Sequence, residues 1–182
     1  MAFNINEFQG AMKLGGARNS LFQVTISNPV SGIADAVFPF MCRTASLPSS
    51  TVAKIPVKYF GRDVNFAGNR TFDDWQVTIL NDEDFLIRHA IEQWSNSINS
   101  MKTNLRDFES SSPVLYKADA QVTQFSKTGV PVRVYNMVGM FPILVSEIAL
   151  DWSNADTIEE FTVTFAYDYW QVTGGVTGTI TN

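Results

Sequence analysis

The chain has few of the residues that metal sites and thiol or imidazole chemistry require. Its 182 residues include one cysteine, Cys42, and one histidine, His89. A single cysteine cannot close a disulfide within the chain, and one residue of each kind cannot build a zinc site of cysteine and histidine ligands. The patterning places Cys42 in an apolar strand and His89 on the exposed side of a helix, so a catalytic dyad is not expected. We therefore predict a protein that is not an enzyme and that holds neither a metal nor a cofactor.

Charge is also scarce, and its distribution is uneven. Charged residues make up 17% of the chain, and 13 basic against 18 acidic side chains give a net charge of −5. This balance argues against a general nucleic-acid binder, which would carry a basic surface. No lysine or arginine follows Arg133, whereas six acids do. These acids are candidates for a surface of one sign: Glu147, Asp151, Asp156, Glu159, Glu160 and Asp168.

Long apolar runs are absent as well. The longest stretch without charge, residues 19–34, has 16 residues and contains several polar groups, so it is too short and too polar to span a bilayer. The first residues lack the basic start and apolar core of a signal peptide. We expect a protein with no membrane segment that is made in a cytoplasm. Its length and its 45% hydrophobic content fit one folded domain with a core of its own.

Alternation of apolar and polar residues, the pattern of half-buried strands, dominates the chain. One segment differs, because Ile87, Ile91, Trp94 and Ile98 follow at helical spacing after a run of acids that suits a helix start. It predicts a helix over about 84–98, with Asn81 or Asp82 as its cap. Strands are predicted at 22–26, 36–43, 54–60, 62–66, 75–80, 118–125, 130–138, 143–152 and 161–170. The fold class expected is therefore mainly β, a β-sandwich or barrel with one flanking α-helix.

The two ends of the chain are patterned more weakly than its middle. Residues 1–18 are predicted to form an N-terminal arm, and residues 19–170 the β domain that contains the helix. The tail, residues 171–182, is rich in threonine and glycine and carries no charge. We expect it to be disordered or to be ordered only by a partner.

A family resemblance is carried by one run of residues and its surroundings. Arg70-Thr71-Phe72-Asp73-Asp74-Trp75 stands before a Val-Thr strand and an Asn81-Asp82-Glu83 helix start. Lys54-Ile55-Pro56-Val57 and Gly61-Arg62 precede it. Further matches lie, in the same order, at 19–24, 44–48, 147–152 and 168–170. The chain thereby resembles the tail tube proteins of contractile-tailed bacteriophages of the T-even type, over about residues 19–170.

The resemblance implies a structural virion protein with a fold of two packed antiparallel sheets. Six copies would form a ring, the inner sheets would join into one barrel, and stacked rings would form a tube inside a contractile sheath. DNA would pass through the tube at infection without specific binding. The implied partners are other copies of the chain, the tail sheath protein, the tape measure protein, the baseplate initiator and the tail terminator. The implied location is the virion tail, after assembly in the host bacterial cytoplasm.

The resemblance also suggests roles for particular residues. Within the signature Arg70, Thr71, Phe72, Asp73, Asp74 and Trp75, we predict that Arg70 pairs with Asp73 or Asp74 and that Trp75 anchors its strand in the core. The family's segment that reaches the neighbouring ring maps to about 45–62, where Lys54, Lys58 and Arg62 are predicted to meet acids. The six late acids are candidates for the lumen, where negative charge would repel phosphate, or for an outward acidic face.

Three other interpretations remain open from the sequence. A baseplate tube initiator would share the fold but end the stack, and the inner tube of a related contractile injection system would share both fold and stacking. A monomeric β-sandwich that binds carbohydrate or acts as an enzyme would need an aromatic groove or a clustered acid–base pair. The longer arm, the longer 99–113 loop and the tail after Trp170 depart from the family pattern, so its roles do not extend to them.

Overall fold

The structure, a computed structural model, describes residues 4–12 and 16–181. Helices are α1 (Ile5–Ala11), α2 (Phe38–Met41), α3 (Leu86–Ile98) and α4 (Pro113–Tyr116). Strands are β1 (Phe22–Ile26), β2 (Cys42–Ala45), β3 (Thr51–Tyr59), β4 (Arg62–Thr71), β5 (Trp75–Leu80), β6 (Ala118–Phe125), β7 (Pro131–Val145), β8 (Glu160–Ala166) and β9 (Tyr169–Gly174). All strand pairs are antiparallel. The predicted mainly β fold with a flanking helix is confirmed.

Seven of the strands form two sheets that share the long strand β7. The first sheet has the order β1–β6–β7–β9, and its part of β7 covers residues 134–138 where β9 pairs. The second sheet has the order β7–β8–β5–β2, and there residues 141–145 of β7 pair with β8. The remaining strands, β3 and β4, form a separate two-stranded sheet.

The bend that lets β7 serve both sheets lies at Gly139. This residue has φ +71°, and a Cβ there would collide with the Asp168 carboxylate. Only glycine adopts that backbone conformation without strain. Pro142 follows, at a register shift opposite β8. The sequence predicted two separate strands, at 130–138 and 143–152; instead, Gly139 and Pro142 bend one continuous strand, which is how bulges redirect a sheet.

The core is one cluster formed by facing sides of both sheets and by α3. Rows of buried residues cross the sheets in register, such as Trp75 opposite Phe165 and Val77 opposite Val163. Trp94 of α3 packs on Phe165 with ring centroids 6.1 Å apart. Its indole N–H donates to the Tyr116 carbonyl at 2.7 Å, so this buried polar group is satisfied.

The helix α3 is shorter at its start than the sequence predicted. It begins at Leu86, after Phe85 in the left-handed region with φ 54°. The Asp84 carboxylate accepts the Leu86 N–H at 2.9 Å, and the Phe85 N–H donates to the Asp82 carbonyl. The acids therefore build a turn ahead of the helix. No helix within the described ranges is long and apolar enough to cross a membrane.

The predicted strand at 36–43 is wrong. The chain instead forms the single turn α2 and only then the short strand β2. Pro39 occupies the first turn of α2, where its missing N–H has no helical partner to lose. Phe38 is buried there. A proline such as Pro39 is compatible with a strand edge, which the predicted strand assumed, but it suits a helix start equally well.

Two predicted strands further along are wrong in extent. The strand expected at 143–152 ends at Val145, and residues 146–159 form a loop in which the Ser153 N–H donates to the Asp151 carboxylate at 2.9 Å. The strand expected at 161–170 is two strands, because β8 ends at Ala166 and the Asp168 N–H then donates to the Val138 carbonyl of β7. The alternation of aromatic residues does not reveal this break, because it continues from β8 into β9 while the chain crosses from the second sheet to the first.

Both segments predicted to lie outside the β domain, 1–18 and 171–182, contain regular structure. The helix α1 lies within the predicted arm, whose residues 1–3 and 13–15 fall outside the described residues. The strand β9 crosses the predicted boundary at 170, and Val172 bridges to Ile180 further along. Segment 171–181 thus returns along the first sheet, which differs from a tail without structure of its own. The 99–113 loop contains a turn at 101–103 and a short 3₁₀ helix, Phe108–Ser110.

Substitutions at two glycines, Gly175 and Gly178, test whether segment 171–181 packs against the rest of its own chain. Gly175 has φ +107°, and a Cβ there would collide with the backbone of Val132 and Arg133. Gly178 has φ +82° but open space around it. We expect Gly178→Ala to lower the free energy of unfolding by about 1 kcal/mol through backbone strain. Gly175→Ala should lower it by about 1–3 kcal/mol more, because backbone atoms cannot move aside. Urea denaturation of the monomer measures both, and equal losses would show that the tail does not pack on β7.

Candidate assembly surfaces

The two residues considered for thiol chemistry lie in different elements. Cys42 begins β2 and is half-buried, and burial raises the pKa of its thiol to about 12. A thiol with so high a pKa stays protonated near neutral pH, whereas nucleophilic chemistry needs the thiolate. His89 lies exposed on α3. Within residues 4–12 and 16–181, no group of three or more His, Cys, Asp or Glu side chains is arranged to hold a metal ion.

The hairpin of β3 and β4 stands apart from the rest of the fold. Its turn is Phe60-Gly61, both with positive φ (46° and 79°), the geometry of the two-residue turns that join antiparallel strands. Every residue of both strands is exposed except Gly68, which is half-buried. A lone two-stranded sheet is marginally stable in water. This hairpin therefore needs a surface to pack against.

One face of the hairpin is apolar. Pairing places Ile55 opposite Phe66 and Val57 opposite Val64, with Tyr59 next to the turn. Their exposed fractions are 52%, 56%, 47%, 44% and 65%. Contiguous exposed apolar side chains of this kind mark interaction surfaces. No element in the described part of the chain covers them.

The three cations predicted to meet another ring all lie on this hairpin. Lys54 and Lys58 lie on its polar face, where Lys58 is opposite Asp63. Arg62 is opposite Tyr59 and so lies on the apolar face. The segment predicted to reach the neighbouring ring, 45–62, is shorter than the hairpin, which spans Thr51 to Thr71. The strand predicted at 62–66 continues to Thr71 as β4, through a register shift opposite Val52 and Lys54, so the sequence-based prediction ended the strand too early.

The signature residues form the junction between the hairpin and the second sheet. Arg70 donates to the Ser50 hydroxyl at 2.7 Å, and Asp73 accepts from the Ser49 hydroxyl at 2.8 Å. Among the described residues Arg70 does not form the predicted ion pair with Asp73 or Asp74, because Arg70 and Asp73 bond to serines that precede β3 instead. Trp75 lies in the core, and its indole N–H donates to the Ser46 carbonyl at 2.8 Å.

Aromatic side chains complete this junction. Phe72 packs on Tyr167 with ring centroids 6.0 Å apart. The Trp170 indole N–H donates to the Ser49 carbonyl at 3.0 Å, and the Tyr167 hydroxyl approaches the same carbonyl. Burial raises the pKa of Tyr167, and the negative charges of Asp73 and Asp74 raise it further. Hydrogen bonds and aromatic packing thus hold the base of the hairpin, both before β3 and after β4.

The six late acids do not share one surface. Glu147, Asp151 and Asp156 lie in the 146–159 loop, and Glu159 at its end accepts from the Asn81 amide at 3.0 Å. Glu160 begins β8 and pairs with Arg43. Asp168 lies beyond the other end of β8, where its carboxylate pairs with Lys117 at 2.6 Å. Five acids therefore cluster at one end of β8 and one lies at the opposite end.

A polar face that the sequence reasoning did not single out lies on the first sheet. Thr25, Gln121, Asn136 and Gln171 are neighbours in register, so one row of uncharged polar side chains crosses all four strands. A second pair, Gln23 and Thr123, lies beside it. The opposite face carries the buried Val24, Val122 and Val172, in one row with the half-buried Tyr135. The alternation of Gln and Thr with valine in β1 and β6 was the available signal.

Comparison with known proteins identifies the family. The family described as phage tail tube protein matches residues 4–173. The tail tube protein gp19 of Enterobacteria phage T4 is 38% identical over 156 residues, which are 85% of this chain and 91% of that protein. The chain belongs to the phage tail tube protein family. The resemblance seen in the sequence is thereby confirmed.

Solved structures share the fold of this tail tube family member at low sequence identity. A chain in the structure of the sheath/tube terminator of an extracellular contractile injection system, in its extended state, has a TM-score of 0.64 at 12% identity, over 87% of this chain and 97% of that one. A chain of the anti-feeding prophage baseplate has a TM-score of 0.61 at 12% identity, over 87% and 96%. At such identity the likeness shows the fold alone.

Substitution of two tryptophans tests whether the signature contributes to the stability of the fold. Trp75 belongs to the signature, and Trp152, in the exposed 146–159 loop, is the control. Trp75 is 1% exposed and hydrogen-bonded, whereas Trp152 is fully exposed. We expect Trp75→Phe to lower the free energy of unfolding by about 1–3 kcal/mol, because it removes the hydrogen bond to the Ser46 carbonyl and takes packed atoms out of the core. Trp152→Phe should change it by less than about 0.5 kcal/mol. Urea denaturation of the monomer measures both, and an equally small effect at Trp75 would contradict the junction described.

Proposed function

We propose that this tail tube protein is the repeating subunit of a virion tail tube. Six copies form a ring, and rings stack into a rigid conduit for DNA inside a contractile sheath. The observation that carries this proposal is the β3–β4 hairpin, whose apolar face lies uncovered in a chain of a tube-forming family. A protein that worked as a monomer would gain nothing from holding such a face in water.

Ring closure is supported by the two edges of the first sheet. Its outer strands are β1 and β9, and along most of their length each pairs on one side only. Unpaired strand edges are templates for a strand of another chain. Joining one copy's β1 edge to its neighbour's β9 edge is a head-to-tail contact, which closes into a ring when the rotation permits. The first sheets of six copies would then form one continuous barrel.

The polar face of the first sheet is the best candidate for the lumen. Its other face packs into the core, so a closed barrel would direct Thr25, Gln121 and Asn136 inward. Asp119 lies on the same face of β6 as Gln121. A wall that is uncharged or acidic lets phosphate slide without sticking. Among the six acids first considered, Asp168 lies nearest this face, next to Gly139 and Lys117.

The hairpin would form the contact between stacked rings. Lys54, Lys58 and Arg62 project with it, while its base is held by the signature residues. A rigid base and an exposed apolar tip are what an inter-ring contact needs, since less conformational freedom is then lost on docking.

The proposed partners follow from the same role. A tube inside a sheath touches the sheath protein outside, the tape measure protein and the passing DNA inside, the baseplate initiator at one end and the terminator at the other. Solved structures with this fold are named for a baseplate and for a sheath/tube terminator. Assembly would take place in the cytoplasm of the host bacterium, and no enzymatic step is involved.

The hairpin cations provide the test of the tube function. The double variant Lys54→Glu, Lys58→Glu should still form rings, because the sheet edges are unchanged, but should fail to form long tubes. Negative-stain electron microscopy and sedimentation measure both. The matched control is Lys102→Glu, Lys127→Glu, which makes the same charge change away from the hairpin.

Purified baseplates separate a tube subunit from an initiator. The wild-type protein should extend hollow tubes with a regular axial repeat from preformed baseplates. Absence of tubes under these conditions would contradict the proposed function. Normal tubes from the hairpin double variant would contradict only the role of Lys54 and Lys58.

A further inference from the structure

The hairpin and the acidic loop lie at opposite ends of the same strand ladder. Trp75 pairs with Phe165 at the end next to the hairpin, and Leu80 pairs with Glu160 at the end next to the 146–159 loop. The ladder of six residue pairs is about 17 Å long. The Asn81 N–H donates to the Glu159 carbonyl at 2.8 Å, which fixes the loop at that end. A second copy placed head to tail along the ladder therefore brings one molecule's hairpin to the other's loop.

The two ends carry opposite charge. The hairpin has four basic residues, Lys54, Lys58, Arg62 and Arg70, and a single acid, Asp63. The segment from Glu147 to Glu160 has acids and no basic residue. Glu160 is neutralised by Arg43, whereas the carboxylates of Glu147 and Asp156 bond to no other side chain within the described residues. Complementary charge guides one end to the other and fixes the register of the contact.

Both ends also expose apolar side chains. In the loop, Leu150, Trp152 and Ile158 are 81%, 104% and 67% exposed. At the hairpin tip Phe60 is 91% exposed, beside the apolar face already described. Tryptophan and its aliphatic neighbours are the usual centre of a protein interface, and acids at its rim keep the free surface soluble.

The loop is held in shape before any partner arrives. The Ser153 N–H donates to the Asp151 carboxylate at 2.9 Å, and the Thr157 hydroxyl donates to Asn154 at 2.6 Å. Arg88 of α3 donates to the Ser146 carbonyl at 3.2 Å. The Asp151 hydrogen bond also lowers the pKa of that carboxyl group. A pre-shaped loop loses little conformational freedom on binding.

We propose that the 146–159 loop of one copy is the surface that receives the hairpin of the next copy in the stack. The apolar face and tip of the hairpin cover Leu150, Trp152 and Ile158, and Lys58 and Arg62 meet the acids at the rim. This inference rests on the proposed tube function and names the partner surface of its hairpin.

A charge exchange tests the contact. The hairpin variant Lys58→Glu, Arg62→Glu and the loop variant Glu147→Lys, Asp156→Lys should each reduce tube yield on baseplates by at least about tenfold, because like charges then face each other. Rings should persist in both. The quadruple variant should regain tubes to within about threefold of wild type, since the charges are again complementary. The matched control is Lys102→Glu, Lys127→Glu, which should leave tube yield unchanged.

A cross-link provides a readout that does not depend on charge reversal being tolerated. Lys58→Cys and Asp156→Cys, combined in a Cys42→Ser chain, should give covalent ladders between subunits when assembled tubes are treated with a short thiol cross-linker. Either cysteine alone should give none.

The outcomes distinguish the contact from the function. If wild type forms no tubes, the proposed function fails and this inference fails with it. If wild type forms tubes but the loop variant does so equally well, or the quadruple variant stays impaired and no ladder appears, only the inference fails. Loop variants that form normal tubes but lose sheath binding would assign the loop to the sheath and overturn the inference.

Discussion

The uncovered apolar face of the β3–β4 hairpin is the constraint on which the assembly depends. Two strands alone bury almost nothing between them, so Ile55, Val57 and Phe66 lie in water in the single chain. Folding of one copy cannot remove this cost, because the hairpin lies outside both main sheets. In the proposed tube, association would cover this face and remove the cost. The hairpin would then couple the stability of a segment within one chain to the presence of a neighbour.

Such a hairpin is useful only if its base is rigid, and the signature residues make it so. Ser49 and Ser50 bond to Asp73 and Arg70, and Trp170 donates to the Ser49 carbonyl. These contacts join both ends of the hairpin to the point where the chain crosses from β8 to β9. The two sheets and the hairpin meet there, so a neighbour that binds the hairpin also bears on the sheets. This accounts for a signature of charged and aromatic residues at the base of the hairpin.

The sequence predicted the elements that are set by local alternation and missed those set by contacts across the fold. Strands β1, β5 and β6, and the core role of Ile91 and Trp94 in α3, follow from periodicity alone. The bend at Gly139 and the crossing at Asp168 do not, because each depends on a residue far away in sequence. Pro39 misled for a different reason: its backbone suits both a strand edge and a helix start.

The candidate surfaces show the same division. The basic hairpin was found because Lys54, Lys58 and Arg62 lie in one segment, although its length was underestimated. The acids after Arg133 were grouped by sequence, yet the fold places Asp168 at the opposite end of β8 from the others. The polar row on the first sheet was missed because it draws one residue from each of four strands. Only strand order and register bring such residues together.

The ion pairs proposed between copies are weak one at a time, and this weakness suits a nucleated tube. An exposed ion pair contributes about 0.2–1 kcal/mol, so charge adds little to the contact of one hairpin with a single free neighbour. A ring of six copies, as proposed, would present six such pairs at once, which together give roughly 1–6 kcal/mol for each added ring. The apolar contacts of the hairpins would be multiplied in the same way. A ring already held on a baseplate would therefore recruit the next copies far better than a single free copy would.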